Sequence, residues 1–500
     1  MRNGSRSAKK LRLLAILAVG ASLVAACAAG DEEEGAPNPT ESPGDALPTI
    51  TDSRFTSTEQ FCTPAVEDPE GTPEASAPGI TEDAVVITNL RLMTEQLEEI
   101  GYAYDSGDTI DQIETFVRIV NEECGGINGR QLQLENLEQS VPGFGDVDPA
   151  LEAQAGCTTV AEDHQSAIAF SHTGVALPLA ACLTEQHDVV YLSVYDLAAS
   201  DFASADGRLF SVVHSPADVL SFAAHEFADE IEGKRVGVVH GDDVPVPETV
   251  QVGLLDTLAD LGIEVTRHDV LSCGDDPFCS DGVIDSARAM VNDDIEVIFP
   301  LINPGAMPGY ISELVTQGAE PGDIEFFTSS FQTGDSELSA GYIVSMGSED
   351  AGRLYDGAQI ISHSRAGEHR LEDFEVRPFV EMCHQQYIEH SSVVTEPYDI
   401  LDDEQNRILS NVSYACMMVR LVARTVEAAG VNPTRADLAA AMGNLGEIDH
   451  PEGPASFTPG KFTAPDAIVR SSFRYPCPVD VNNEVGHCIL PDSDFLPLPG

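Results

Sequence analysis

The stretch Phe116–Leu134, FVRIVNEECGGINGRQLQL, determines the fold, because it runs from a helix into a strand without a long loop. Apolar residues recur at helical spacing before Gly125 and Gly126, and these glycines supply the permissive backbone on which helices end. Beyond the glycines, Leu132 and Leu134 alternate with polar residues, as in a strand. The stretch therefore predicts one helix–strand step of a parallel sheet.

The same alternation extends to both sides of this step and then repeats. The predicted strands of the first series are Val85–Leu90, Arg130–Leu137, Ser166–Phe170 and Val189–Val194, and those of the second are Arg235–His240, Ile263–Val270, Ile295–Ile302 and Glu325–Thr328. Strands that alternate with helices imply parallel sheets covered by helices on both faces. Two series imply two similar lobes, which also suits a folded part of roughly 420 residues, more than one core usually holds.

Several phrases of the chain resemble type I periplasmic binding proteins, in particular the branched-chain amino acid (Leu/Ile/Val-binding) receptors of ABC transporters. Pro78-Gly79-Ile80-Thr81 precedes the first strand, and Asn121 through Arg130 is similar to the "N..GGINGR" phrase of these receptors. GKRVGVVHGDD at Gly233–Asp243 and YACMMVRLVARTVEAAGVNPTRADLAAAM at Tyr414–Met442 also resemble family phrases. The resemblance implies the α/β class, with two doubly wound parallel-sheet lobes joined by a three-strand hinge.

The resemblance also implies how the chain is divided between the lobes. In this fold the chain crosses between lobes three times, and we place the crossings near Ser211–Ser215, Ile360–Ser364 and Gly446–Phe457. The first lobe is then expected to comprise residues 79–212 and 363–445, and the second lobe residues 213–362 and 446–500.

The N-terminal residues predict export and a lipid anchor. A basic segment precedes the short apolar run Leu13–Val24, and Val24-Ala25-Ala26-Cys27 resembles the lipobox of bacterial lipoproteins. About a dozen apolar residues are too few to span a bilayer, which needs roughly 20. We predict a lipoprotein signal peptide over residues 1–26 and a lipidated Cys27 that anchors the protein to the cell membrane on its extracytoplasmic side. The alternative is an ordinary secreted protein that is cut near Ala26.

Residues 27–78 predict a flexible acidic tether, because they are rich in Pro, Gly, Glu and Asp and poor in large apolar side chains. Phe61-Cys62 is the exception, since a cysteine in an exported linker is expected to be bonded to the folded body.

The chain is strongly acidic, with 84 Asp and Glu against 25 Lys and Arg and a formal net charge of −59. Such a field repels nucleic acid and anionic lipid, so we expect neither as a partner, and membrane contact only through the lipid anchor. An acidic surface is typical of proteins from saline habitats, and it therefore indicates solubility and not the ligand.

The ten cysteines other than Cys27 allow up to five disulfides in an oxidising compartment. Short local loops predict two pairs, Cys273 with Cys279 and Cys477 with Cys488. Related receptors carry a disulfide in this part of the first lobe, so the resemblance implies a third pair, Cys157 with Cys182. Four cysteines with three possible pairings remain open: Cys62, Cys124, Cys383 and Cys416.

Enzyme signatures are absent from the sequence, which contains no GxSxG, HExxH, GxxxxGK or GxGxxG. His225-Glu226 begins a phrase like HExxH, but Asp229 stands where the second histidine is required. We therefore expect no catalytic residues, no cofactor and no metal.

Polar residues follow the predicted strands at the edge where open parallel sheets bind ligands. The predicted ligand-binding residues are Ser171, His172, Thr173, Tyr195 and Asp196 of the first lobe, and Asp243, Asn303 and Ser330 of the second. In the family, hydroxyls and N–H groups of the first lobe hold an α-carboxylate, and an acidic or aromatic residue of the other lobe meets the α-ammonium. The resemblance thus implies a carboxylate at Ser171 and Thr173, and an ammonium at Asp243 or Asp196.

Other interpretations of these residues stay open. Thr173 is also a suitable helix N-cap, Asp243 a solvated loop charge and Ser330 a turn residue. The chain also departs from the family, because Asp243-Val244-Pro245 stands where related receptors often read "D.PYG". Amino acids, amides, urea-like compounds and small aromatic acids therefore remain possible ligands.

Together these features predict an extracytoplasmic solute-binding lipoprotein that captures a small polar ligand between its lobes and delivers it to a membrane ABC permease. A ligand favours the closed form only through contacts made by both lobes. The alternative is a sensor that reports its ligand state to a membrane signalling partner. A secreted hydrolase, the third hypothesis, requires a nucleophile–base pair in the cleft.

Overall fold

A computed structural model describes residues 53–499, apart from 65–70, 97–104, 142–148, 174–178, 195–196, 244, 274–275, 277, 395 and 480–485. The predicted signal peptide, Cys27 and the first part of the predicted tether lie outside the described residues. None of the helices in the described part of the chain has the length and apolar composition that a membrane span requires.

The strands, in chain order, are β1 (Ala84–Leu92), β2 (Gln131–Gln139), β3 (Ile168–Ser171), β4 (Val190–Ser193), β5 (Leu209–Ser211), β6 (Val236–Gly241), β7 (Val265–Leu271), β8 (Val297–Leu301), β9 (Glu325–Ser329), β10 (Gln359–Ser362), β11 (Gly446–Ile448), β12 (Ala455–Phe457), β13 (Ala467–Arg474), β14 (Cys488–Pro491) and β15 (Leu496–Pro497). The α-helices are α1 (Thr109–Glu122), α2 (Pro149–Thr158), α3 (Ala199–Ser204), α4 (Pro216–Ile231), α5 (Val246–Val250), α6 (Asp256–Asp260), α7 (Val283–Asn292), α8 (Met307–Thr316), α9 (Glu337–Tyr342), α10 (Glu349–Tyr355), α11 (Pro378–His390), α12 (Asp403–Ala428) and α13 (Arg435–Met442). A π-helical segment extends α2, and another joins α5 to α6.

The helix–strand step at α1 and β2 is held together by its own sequence. Asn121 bonds both backbone groups of Leu132, with its Nδ2 2.9 Å from the carbonyl oxygen and its Oδ1 2.8 Å from the amide nitrogen. Gly126 adopts a positive φ of 76°, and a Cβ atom there would lie 2.3 Å from the carbonyl oxygen of Arg130. Only glycine fits this turn, which returns the chain directly into β2.

The first sheet consists of five parallel strands in the order β2-β1-β3-β4-β5. Helices α1, α11, α12 and α13 pack on one face, where Phe116, Val412 and Leu438 belong to one apolar core. Helix α2 and the π-helical turns pack on the other face, around Cys157 and Leu183. We call this sheet with its helices the first lobe.

The second sheet has the order β14-β13-β10-β9-β8-β6-β7, with β15 paired to β13. Strands β6 to β10 are parallel, and β13 adds antiparallel to β10. Strand β8 is buried throughout, whereas β7 alternates exposed and half-buried residues, as expected of an edge strand. Helices cover both faces, in two apolar cores around Phe299 and Tyr310. We call this assembly the second lobe.

The C-terminal part of the chain contributes to both lobes. Phe457, on the hairpin of β11 and β12, belongs to the core of the first lobe, whereas Ile468 on β13 belongs to a core of the second. The lobe boundaries given above stay a prediction, and these contacts show that residues 446–500 are shared between the lobes.

Residues 53–64 and 71–78 differ from the predicted tether, because they pack against the first lobe. Phe55 and Phe61 are buried, and Arg54 forms an ion pair with Glu427 at 2.9 Å. Farther along, the Ser76 hydroxyl donates to the carbonyl oxygen of Pro433. The composition of the whole segment predicts that too little apolar surface is buried to offset the entropy cost of ordering. Two buried aromatic side chains and one disulfide-bonded cysteine offset this cost locally.

The structure contains five disulfides, including the three predicted pairs. The cysteines left open pair as Cys62–Cys124 and Cys383–Cys416. The first of these pairs bonds the N-terminal segment to the end of α1, and the second joins α11 to α12. Both pairs hold sequence-distant segments on the core of the first lobe.

The double substitution Cys62→Ser, Cys124→Ser tests the N-terminal attachment. Its disulfide spans 62 residues and the Cys273–Cys279 disulfide spans 6, so chain entropy predicts losses of about 4 and about 2 kcal/mol in unfolding free energy, respectively. Guanidinium unfolding of both double variants without reductant measures the difference. Equal losses would show that the N-terminal segment adds nothing to the stability of the first lobe.

Candidate ligand-binding site

The structure places the described predicted residues at the carboxyl ends of strands. Ser171 ends β3, with His172 and Thr173 directly after it, and Asp243, Asn303 and Ser330 follow β6, β8 and β9. Tyr195 and Asp196 lie outside the described residues. Whether any of these residues contacts a ligand stays a prediction.

The loop after β3 offers buried polar atoms without partners. His172 is 2% exposed, and its Nδ1 lies 3.4 Å from Oδ1 of Asn89. Because an amide oxygen only accepts hydrogen bonds, Nδ1 carries the proton and Nε2 is an acceptor. Burial, with a contribution from the Arg91 charge, lowers the pKa of His172 to about 3, so the ring is neutral. Nε2 of His172 and Oγ1 of Thr173 are both buried and have no hydrogen-bond partner among the described residues.

Ser171 is completely buried next to Tyr191. Burial raises the pKa of the Tyr191 hydroxyl to about 12, although the neighbouring hydroxyls of Ser193 and Ser171 oppose the shift. The phenol is therefore neutral and fixes the base of the loop after β3.

In the second lobe, two of the predicted residues have structural partners. Asn303 accepts from the amide of Ala306 at 3.0 Å and donates to Sγ of Cys279 at 3.3 Å, so it holds the start of α8 against the Cys273–Cys279 disulfide. The Ser330 amide donates to the carbonyl oxygen of Ile361 at 2.9 Å. Asp243 is half-buried at the start of the loop after β6.

The three segments predicted as crossings meet at a buried histidine cluster that the sequence analysis did not identify. His214, His363 and His450 each come from a different one of these segments, and the ring centroid of His363 lies 5.9 Å from that of His214 and 5.7 Å from that of His450. All three rings are 7% exposed or less. One histidine per predicted crossing was a signal in the sequence, but nothing there showed that the three rings would meet.

Glu452 completes this cluster, with its carboxylate 2.9 Å from Nε2 of His363. Burial opposes the charge of Glu452, but His363, with help from His450 and a hydrogen bond from Tyr414, lowers the pKa of Glu452 to about 2. For His450, Nε2 donates to the carbonyl oxygen of Val212 at 3.0 Å, and Nδ1 accepts from the Glu452 amide at 3.1 Å. Both contacts require the neutral ring, and burial lowers the pKa of His450 to about 4.

A cavity of about 450 Å³ opens beside this cluster, between the two lobes. It is lined by residues of α11 and α12 from the first lobe, by residues of α9 and by His487 from the second, and by crossing residues. A volume of this size is typical of small-molecule sites. None of the six predicted ligand-binding residues that the structure describes lines this cavity. Its walls come from segments far apart in sequence, which is why the sequence analysis did not identify it.

Arg370 links the two lobes at the edge of this cavity. Its Nη1 donates to Oε2 of Glu337 on α9 at 2.6 Å, and its Nη2 donates to Asp403 at the start of α12. Burial raises the pKa of Glu337 to about 7, although the Arg370 charge opposes the shift. The cavity therefore contains a carboxyl that changes its charge near neutral pH.

Two lobes of helix-covered, mostly parallel sheet with a cavity between them define the class of two-lobed solute-binding proteins. A model of the family described as periplasmic binding protein matches residues 103–354, which is half of the chain. The chain therefore belongs to this family, whose members bind solutes and are not enzymes. No curated protein sequence matches the chain significantly.

Solved structures share this fold at low sequence identity. A fatty acid ABC transporter substrate-binding protein from Thermomonospora curvata is 14% identical with a TM-score of 0.55, and the match covers 85% of this chain and 95% of that one. A solute-binding protein from Rhodopseudomonas palustris HaA2, in complex with p-hydroxybenzoic acid, is 11% identical with a TM-score of 0.57 and coverages of 84% and 98%. A substrate-binding protein from Desulfitobacterium hafniense, in complex with Leu, is 16% identical with a TM-score of 0.53 and coverages of 83% and 100%.

The histidine cluster predicts that acid destabilises the protein. His214 and His450 have pKa values of about 3 and about 4 when folded, below the ordinary 6.5, so the unfolded chain binds more protons as the pH falls below 6.5. The contribution of each histidine to the unfolding free energy should be constant above this pH and then fall by up to about 1.4 kcal/mol per pH unit. Glu337, whose pKa is raised to about 7, contributes with the opposite sign below pH 7, so the slope is compared between variants. Urea unfolding between pH 7.5 and 4.5 measures this slope.

In a His450→Gln variant, the pH dependence of the unfolding free energy should be less steep by the equivalent of up to one bound proton. The reason is that Gln keeps a donor for Val212 but does not titrate. His225→Gln, on the exposed side of α4, is the matched control and should keep the parental slope. A His450→Gln variant with the full parental slope would contradict the assignment of the effect to the hinge.

Proposed function

We propose that the protein is an extracytoplasmic lipoprotein, anchored through Cys27, that captures a small polar solute between its lobes and delivers it to an ABC permease. The solute is an amino acid or a related amide or organic acid. It binds at the carboxyl ends of the strands, where Ser171, His172 and Thr173 of the first lobe face Asp243 of the second.

One observation carries this proposal: in the loop after β3, two buried polar atoms have no hydrogen-bond partner within the described part of the chain, namely Nε2 of His172 and Oγ1 of Thr173. A buried polar atom without a hydrogen bond costs roughly 1–3 kcal/mol, so a ligand group that bonds both atoms would recover this free energy. The hydroxyl can donate to a carboxylate, and the neutral imidazole nitrogen can accept from an N–H or O–H group.

The structural relatives support the choice of solute. One of them binds Leu and another binds p-hydroxybenzoic acid, both of which carry a carboxyl group with polar and apolar parts. ABC transport is supported by the same relatives, which are substrate-binding proteins of ABC transporters. Anchoring through Cys27 is supported by the lipobox-like phrase that ends there.

Thermal-shift screening of the mature protein against amino acids, amides and small organic acids tests the proposal. A ligand at a hundred times its dissociation constant should add roughly 2.7 kcal/mol to the unfolding free energy. No stabilisation by any compound of these classes would contradict the proposed solutes.

The variants Thr173→Ala and Asp243→Ala test the location of the site. Each variant should bind the ligand found by screening about tenfold more weakly, since the loss of one hydrogen bond costs about 1–1.5 kcal/mol of binding free energy. Thr316→Ala, on the exposed side of α8, is the control and should bind as the parent does. If both variants keep the parental affinity in calorimetric titration, the strand-end site is wrong.

A further inference from the structure

The cavity between the lobes contains an arginine whose side chain has no hydrogen bond or ion pair among the described residues. Arg407, on the second turn of α12, lines the cavity and is half-buried. Its side chain makes no hydrogen bond or ion pair with another described residue, and its Nε is buried without a partner. In a chain with 84 acidic and 25 basic residues, an unpaired guanidinium is unexpected.

The carboxylates around Arg407 are engaged elsewhere. Asp403 lies one helical turn before Arg407, but it accepts from Arg370 and lies 3.3 Å from Nε2 of His369. Glu337 is close enough for the Arg407 charge to lower its pKa, but its carboxylate is bonded to Arg370. The cavity therefore retains one positive group with free N–H donors.

The carboxylates Glu368 and Glu452 have partners as well. Glu368 pairs with Arg365 at 3.2 Å and with Arg377 at 2.8 Å, and Glu452 pairs with His363.

Asp335 also lines the cavity and accepts from the Ser362 hydroxyl at 2.5 Å. Oε1 of Glu337 has no partner among the described residues, but burial raises the pKa of this carboxyl to about 7 and so reduces its charge. Arg407 is therefore the group at which we argue for an anionic occupant.

The remaining walls of the cavity indicate the shape of this anion. Apolar side chains from both lobes line it: Leu338, Phe374, Val376, Val380, Ile400 and Leu409. Apolar walls cannot solvate the second charge of a group such as phosphate, whereas a single carboxylate can meet Arg407 in the bidentate geometry that guanidinium groups favour. The apolar part of the ligand would pack on these side chains.

We propose that this cavity is a second binding site, which takes a small monocarboxylate with an aromatic or aliphatic body and pairs its carboxylate with Arg407. This second site is separate from the proposed solute site at the strand ends, and the two sites share no residue. Because α12 belongs to the first lobe and α9 to the second, an occupant contacts both lobes and shifts the equilibrium between their arrangements.

Calorimetric titration of the mature protein with benzoate and with hexanoate, and with inorganic phosphate for comparison, tests this site. The parent should bind at least one of the two carboxylates and should not bind phosphate. Arg407→Gln should raise the dissociation constant of the carboxylate at least tenfold, because a hydrogen bond between charged groups contributes about 1.5–3 kcal/mol. Arg288→Gln, which removes an exposed arginine from α7, is the matched control and should change nothing.

The stability of the variant separates binding from folding. Since Arg407 has no hydrogen-bond or ion-pair partner in the described part of the chain, Arg407→Gln should unfold at the same urea concentration as the parent or a higher one. Ser410→Phe, at another lining position, fills the cavity and should also abolish carboxylate binding while Arg407 is retained.

The two sites fail in different ways. If neither carboxylate binds the parent, or if Arg407→Gln binds like the parent, the second site is overturned. If Thr173→Ala removes the binding of benzoate and Arg407→Gln does not, the carboxylate occupies the strand-end site, so the solute site stands and the second site is overturned. If Arg407→Gln alone removes it, the second site is supported, and the strand-end site is judged by its own titrations.

Discussion

The structure depends on one constraint: the three segments predicted to cross between the lobes must pack together away from water. Each of these segments brings one histidine, and the three rings lie side by side against Glu452 and Tyr414. Backbone and ring groups there have to satisfy each other, because no solvent is available to do so. His450 shows this most directly, since one ring nitrogen donates to Val212 of the first segment and the other accepts from the amide of Glu452.

The two proposed sites differ in chemistry. The strand-end loop of the first lobe offers neutral partners, namely a hydroxyl and an imidazole nitrogen, whereas the cavity offers a guanidinium and apolar walls. If ligands at both proposed sites contact both lobes, the stabilisation of one arrangement is the sum of the two differential binding free energies. The acidic surface does not prevent anion binding in the cavity, because neighbouring arginines neutralise the acids there.

Much of the fold could be predicted from the sequence because local patterns specify it. The phrase from Asn121 to Arg130 encodes its own turn, through a side-chain clamp on Leu132 and a glycine that tolerates no Cβ. The predicted strands of both series lie within a few residues of the observed ones. Thr434 and Asp437, four residues beyond Gly430, form a capping box at the start of α13.

What could not be predicted depends on contacts between distant segments. The antiparallel addition of β13 to β10 requires a free sheet edge that only the folded second lobe provides. Phe55 and Phe61 lie in a segment of disorder-like composition, and only the surface of the first lobe makes their burial possible. The sequence alone suggests that Asp403 pairs with Arg407, one helical turn later. The structure shows instead that Asp403 accepts from Arg370, an arginine 33 residues away, which leaves Arg407 without an ion pair among the described residues.

The central claim is that a small molecule holds the two lobes together. Small-angle X-ray scattering of the mature protein, with and without a saturating ligand found by screening, measures this most directly. The account predicts a smaller radius of gyration at unchanged molecular mass when the ligand is bound. Superimposable scattering curves, recorded under conditions where calorimetry shows full occupancy, would contradict it.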